Sequence, residues 1–225
     1  MPGLIALVSL VVVASVSAQG HASQDMAMSN PHLRMTELRP LAPGDQARAD
    51  SIVAIARAAA GKYRDVALAE ADGYRRFAPD IANQRVYHYT RLGAAVAARY
   101  RFDPAQPSSL LYRDDGQGDM RLVGVMYTAP PSATKAELDT RVPLSIGRWH
   151  MHTNICLPPA GTARDSLNTA GARFGFRGSL STREACEAAG GRYHKELFGW
   201  MMHLNLFEPG PNGPWQDDHG GMRPH

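Results

Sequence analysis

Residues 45–73, DQARADSIVAIARAAAGKYRDVALAEADG in one-letter code, decide the fold class. Ile52, Ile55, Ala56, Ala59, Tyr63, Val66 and Ala67 recur at three- and four-residue steps, which puts them on one stripe of a helix. The helix is expected to begin near Asp45 or Asp50 and to stop at Asp72-Gly73, since glycine accepts the left-handed conformation of a helix end. Gly61 weakens its middle by about 1 kcal/mol relative to alanine. Downstream, the period changes. Arg85-Val-Tyr-His-Tyr-Thr90 reads as a short strand or as the start of a second helix through Ala98. Leu110-Leu-Tyr112 and Leu122-Val-Gly-Val-Met-Tyr127 read as a hairpin joined through the polar loop Asp114-Asp-Gly-Gln-Gly118. Further strands are expected at Ser145–Cys156 and Phe198–Phe207. Between them lies a short helix opened by the capping-box pattern Ser181-Thr-Arg-Glu184 and closed by Gly190-Gly191. The expected architecture is α+β, a long N-terminal helix packed on an antiparallel β-sheet or small open barrel.

Around this core the chain divides into residues 1–18, a signal peptide; 19–44, a flexible leader; 45–208, a single α+β domain; and 209–225, a flexible tail. The signal peptide rests on a thirteen-residue apolar run, Leu4 to Val16, followed by the small residues Val16-Ser17-Ala18. That run is short for a membrane span, which needs about 20 residues, although an N-terminal anchor is the alternative. The expected protein is therefore periplasmic or secreted, with no stable membrane span in the mature chain. In an oxidising compartment Cys156 and Cys186 are expected to form a disulfide, the alternative being a pair of thiolate metal ligands. A net charge of +3 over 225 residues, without clustered Lys/Arg and interleaved aromatics, argues against nucleic acid as a partner.

Tyr63-Arg-Asp65, Ala71-Asp-Gly-Tyr74, His88-Tyr89, Phe102-Asp-Pro104, Pro107, Leu111-Tyr112, Leu122-Val-Gly-Val125 and Tyr127 form an ordered set. It resembles a group of exported bacterial proteins of uncharacterised function over Ala47 to Thr128, about a third of the chain. The resemblance implies export and a helix-then-sheet layout, and no activity.

Chemistry centres on Trp149-His-Met-His-Thr-Asn-Ile-Cys156. Alternate side chains of a strand share a face, so His150, His152, Asn154 and Cys156 are expected on one side. His150 and His152 would then lie about 7 Å apart at Cα, close enough to tilt onto one ion. Phe198-Gly-Trp-Met-Met-His-Leu-Asn-Leu-Phe207 likewise puts Met201, His203 and Asn205 on one face. If the two strands are neighbours, His203 is a third metal ligand, and His88 is the candidate fourth. The pattern of a His-x-His strand followed by a lone histidine is similar to that of cupins, as an analogy of geometry, but no glutamate follows His152 at the short spacing cupins use. Copper or zinc are the expected ions, because imidazoles suit both and methionine thioethers favour Cu(I). Glu196 and Glu208 are the nearest carboxylates in sequence, either of them a fourth ligand or a group orienting a ligand, and Glu196 is the candidate general base. After cleavage at Ala18, Gln19-Gly20-His21 would also offer a square-planar nitrogen set for Cu(II) or Ni(II). Gly-x-Ser-x-Gly and phosphate-cradling glycine motifs are absent, and the Gly-rich loop with Arg173 and Arg177 reads first as a solvated loop, with an anion contact as the alternative.

Three functions fit these residues. The first is an exported metal-binding protein. The second is a metal-dependent oxygenase or hydrolase that uses the same cluster with an open coordination position. The third is an envelope interaction module in which the histidines are structural, each satisfied by a backbone carbonyl or set at the sheet rim.

Overall fold

The computed structural model describes residues 30–81, 84–162, 167, 171–211 and 213–215. The signal peptide, His21, and residues 216–225 lie outside them. The fold is α+β. Strands β1 (Leu33–Met35), β2 (Arg75–Arg76), β3 (Tyr87–Thr90), β4 (Ser109–Asp114), β5 (Met120–Ala129), β6 (His150–Leu157) and β7 (Arg192–Leu204) form an open 7-stranded sheet. Its order is β1-β6-β7-β5-β4-β3-β2, with every pair antiparallel. The helical segments are α1 (Asp45–Ala60), a 3-10 turn (Gly61–Arg64), α2 (Val66–Ala71), α3 (Leu92–Ala97), α4 (Lys135–Arg141) and α5 (Arg183–Ala188).

One face of the sheet is covered by α1. Ile52, Ala56, Ala60 and Tyr63 pack with Tyr87, Tyr89, Leu110, Tyr112, Met202 and Leu204 in the main core. The expected stripe is therefore offset: Ala49, Ile52, Ala56 and Ala60 are buried, while Ile55 is 42% exposed. The expected continuous helix to Asp72 is also broken. Tyr63 leaves helical geometry at φ −86°, ψ 17°, and Asp65 is extended. The cause is the core itself. The Tyr112 hydroxyl donates to the Tyr63 carbonyl at 2.6 Å, taking the acceptor that would continue the helix. Asp65 then restarts the chain by capping α2, accepting from the Ala67 amide at 2.9 Å.

Both expected flexible ends take part in the fold where they are described. Leu33–Met35 of the leader pairs along β6, with Leu33 opposite His152 and Met35 opposite His150. A three-residue strand is too short to carry a period, so nothing in its own composition announced it. At the other end Pro214 accepts from the Asn205 amide at 2.8 Å, and Trp215 packs on the core. The strand expected from Ser145 begins only at His150, because the Ile146 and Gly147 amides turn back onto the Pro143 carbonyl. The strand expected from Phe198 begins at Arg192, because Arg192–Leu197 pairs with β6. The short helix is capped by Thr182 rather than Ser181, its hydroxyl accepting from the Ala185 amide at 3.2 Å. It carries Cys186 into a disulfide with Cys156, Cα–Cα 5.6 Å. Among the described residues, no helix is long and apolar enough to cross a membrane.

The start of α1 is anchored by charge. Arg39 bridges Asp45 (2.6 Å) and Asp139 (2.9 Å), and Ser145 Oγ and the Ala42 amide both donate to Asp45. Hydrogen bonds from Arg39, then from Ser145 and Ala42, hold the Asp45 carboxyl well below the usual carboxylate range.

Cys156 and Cys186 are 30 residues apart, so replacing both by alanine should cost about 3–4 kcal/mol in a denaturant titration. An unchanged midpoint would contradict a staple. The folded state binds the Asp45 proton less tightly than the unfolded chain, so the Arg39 node stabilises the fold above about pH 4 and loses this contribution below it. Asp45→Asn should flatten the acid limb of the stability curve between about pH 4 and pH 2. An acid limb as steep as that of the wild type would show that the node does not set it.

Candidate functional site

The face of the sheet away from α1 carries the histidines. On β7, Trp200, Met202 and Leu204 enter the main core, so Met201 and His203 point the opposite way. On β6, Met151 enters that core, as does Trp149 just before the strand, and they leave His150 and His152 on the other side. On β3, Tyr87 and Tyr89 do the same for His88. Three strands thus place four imidazoles on one face by alternation alone.

Alternation does not explain how His88 reaches the rest. It lies opposite Leu111 on β4, while His203 lies opposite Met126 on β5. Three inter-strand steps would separate their Cα atoms by about 14 Å in a flat sheet. Yet their ring centroids are 5.3 Å apart and Nε2 to Nε2 is 3.3 Å. The two side chains lean toward each other over a small apolar cluster of Leu111, Val123, Met126 and Met201. His150 continues the series, its ring 5.0 Å from that of His203 and 5.7 Å from that of His152. His150 is fully buried, whereas the other three are half-buried.

A nitrogen separation of 3.3 Å is long for a hydrogen bond. It matches the roughly 3.3–3.4 Å expected between two nitrogens that are each about 2.0–2.1 Å from one tetrahedral ion. Among the described residues, however, no three His, Cys, Asp or Glu side chains stand in a preformed metal shell. The rings make a chain of pairwise contacts, with His150 set edge-on to both His152 and His203. Closing three or four nitrogens on a single ion requires imidazole rotation.

The site departs from expectation at several residues. Asn154 has φ 54°, which ends the alternation, and its side chain turns to Pro31 (2.8 Å) and Tyr193 (2.6 Å). Cys156 is in the disulfide. Glu196, the candidate base, pairs with Arg34 at 3.0 Å. Arg34 stacks on Trp200 and donates to Met151 Sδ, both residues of the main core, so Glu196 belongs to the opposite face from the imidazoles. Glu208 is held by Arg113 and Arg121. Met151 and Met202 fill the core, whereas Met126 and Met201 line the histidine face.

A cavity of about 1910 Å³ opens on this face, with His88, His152 and His203 in its wall. Its aromatic residues were not singled out from sequence. Phe176 packs on His152 at 4.5 Å, Phe198 lies 6.2 Å from Phe176, and Phe77 lies 5.4 Å from Phe198. They come from separate parts of the chain, and no spacing marked them. His32 was also missed. It is buried, with its ring against the carbonyls of Asn154 (3.0 Å) and Gly178 (2.6 Å).

No protein-family model, curated protein or solved structure matches the chain. The functional reading therefore rests on the site.

The position of His203 depends on Gly124. A Cβ at Gly124 would clash with the Leu204 carbonyl oxygen, so β5 approaches β7 this closely only without a side chain there. Gly124→Ala should destabilise the protein by about 1–3 kcal/mol and shift the imidazole resonances of His88 and His203 in nitrogen-15 spectra. A variant that melts like the wild type with unmoved resonances would show that this approach does not hold His203 in place.

Proposed function

We propose that the chain is an exported protein that binds a transition-metal ion, copper or zinc, through the imidazoles of His88, His150, His152 and His203. The observation that carries the reading is the meeting of His88 and His203 at 3.3 Å, side chains 115 residues apart in sequence on strands that are not neighbours. Alternation puts the histidines on one face, but it does not by itself bring His88 and His203 to within 3.3 Å of each other. His150 and His152 extend the group at centroid spacings of 5.0 and 5.7 Å, a separation that rotation about the side-chain torsions can close. Thioethers of Met126 and Met201 on the same face supply soft donors that would favour reduced copper. The disulfide agrees with an oxidising compartment, periplasmic or extracellular, and the resemblance to exported bacterial proteins points the same way.

The cavity over the rings favours a second reading, a metal-dependent hydrolase or oxygenase with an open coordination position. In that case a general base is not Glu196, which stands on the far face.

Elemental analysis of the full chain purified from the exported fraction tests the binding claim. About one copper or zinc per chain is expected, falling at least tenfold in His150→Ala/His152→Ala, with the added ion raising the melting temperature of wild type alone. Wild-type protein without either metal, or a variant that retains the wild-type content, would refute it.

A further inference from the structure

The wall of the histidine cavity is uneven in its chemistry. Four arginines reach it, Arg85, Arg99, Arg177 and Arg192, and among the described lining residues there is no aspartate or glutamate. None of the four makes an ion pair among the described residues, and Arg192 donates from Nε to the His194 ring at 3.2 Å. All four are exposed. Much of the remaining wall is apolar, with the aromatic series Phe77, Phe198 and Phe176 leading to His152.

Phe198 is the telling residue. Its backbone lies in the left-handed region at φ 75°, where a bulky side chain is strained. The strain arises where β7 carries extra residues against β6: His150 pairs with Met201, but His152 pairs with Leu197. Gly199 cannot share the burden by gaining a side chain, since a Cβ there would sit 2.6 Å from the Ala129 carbonyl. The outcome is a phenyl ring held at the cavity and 55% exposed, where folding gains little from it.

We infer that this cavity binds an organic anion with an apolar body, a hydrophobic carboxylate whose body lies against Phe77, Phe176 and Phe198 and whose charge faces the rim arginines. Guanidinium groups suit carboxylates because they offer paired donors in a plane. Four guanidinium groups on this wall favour anions over neutral molecules of the same shape. The inference does not depend on bound metal, because charge recognition is assigned to the arginines.

Calorimetry on the full chain, treated with chelator so that no metal–carboxylate bond contributes, separates the alternatives. The probes are 1-naphthoate, decanoate and the neutral 1-naphthalenemethanol. At low salt at least one of the two carboxylates is expected to bind tenfold or more tightly than the alcohol, and the tighter of the two identifies an aromatic or an alkyl body. Replacing Arg85, Arg99, Arg177 and Arg192 by glutamine, all at exposed positions, should abolish that preference while the melting temperature stays near wild type. Phe198→Gly should weaken the carboxylate at least tenfold without lowering the melting temperature, because glycine relieves the strained φ. Equal binding of acid and alcohol, a preference that survives the four-arginine replacement, unchanged affinity in Phe198→Gly, or no binding of any probe would each overturn the inference. Because metal is removed beforehand, failure here leaves the metal reading standing, and loss of the metal reading leaves this result intact.

Discussion

The pairing of β7 with β6 along one edge and β5 along the other is the constraint from which the rest follows. It fixes which side chains of Trp200–Leu204 enter the helix-covered core and which face the opposite side. Trp200, Met202 and Leu204 are tied to α1 and the tyrosine-rich strands, so a slip of one residue would expose them and bury His203 in their place. Burial of these large apolar groups, each contributing about 1.5–3 kcal/mol, is what keeps His203 on the histidine face. The imidazole cluster is thus positioned by a core on the opposite face of the sheet.

Much of this was legible from residue order. The alternation in Trp200–Leu206 and in Trp149–Thr153 assigns these side chains to their observed faces, because a period of two is all that a strand imposes. Phe198 and Phe207, at the ends of the stretch read as a strand, depart from it. The pairing of Cys156 with Cys186 followed from compartment and count. Contacts that depend on a third element were not legible. The helix break at Gly61–Arg64 needs the Tyr112 hydroxyl, 49 residues away. Edge strand β1 has no period of its own and forms only because β6 offers free backbone groups. Left-handed Asn154 and Phe198 reset alternation at residues that are not themselves glycine.

The site divides by charge as well as by face. Glu196 and Glu208, nearest to the histidines in sequence, are both drawn into arginine pairs elsewhere. The histidine cavity keeps arginines without acidic neighbours among its described residues. Imidazole nitrogens and thioethers, rather than carboxylates, are consequently the metal donors on offer, a set that suits copper and zinc and disfavours magnesium or calcium. The cavity arginines and the imidazoles are different side chains of one surface, so the ion-binding and anion-binding readings do not compete for the same groups.

X-ray absorption at the metal edge, on full chain loaded with one equivalent of copper or zinc, reads the ligand set itself. Three or four nitrogen neighbours at about 2.0–2.1 Å, with the outer-shell scattering of imidazole rings, are predicted. A spectrum of oxygen neighbours without imidazole scattering would show that the four histidines meet for some reason other than a metal.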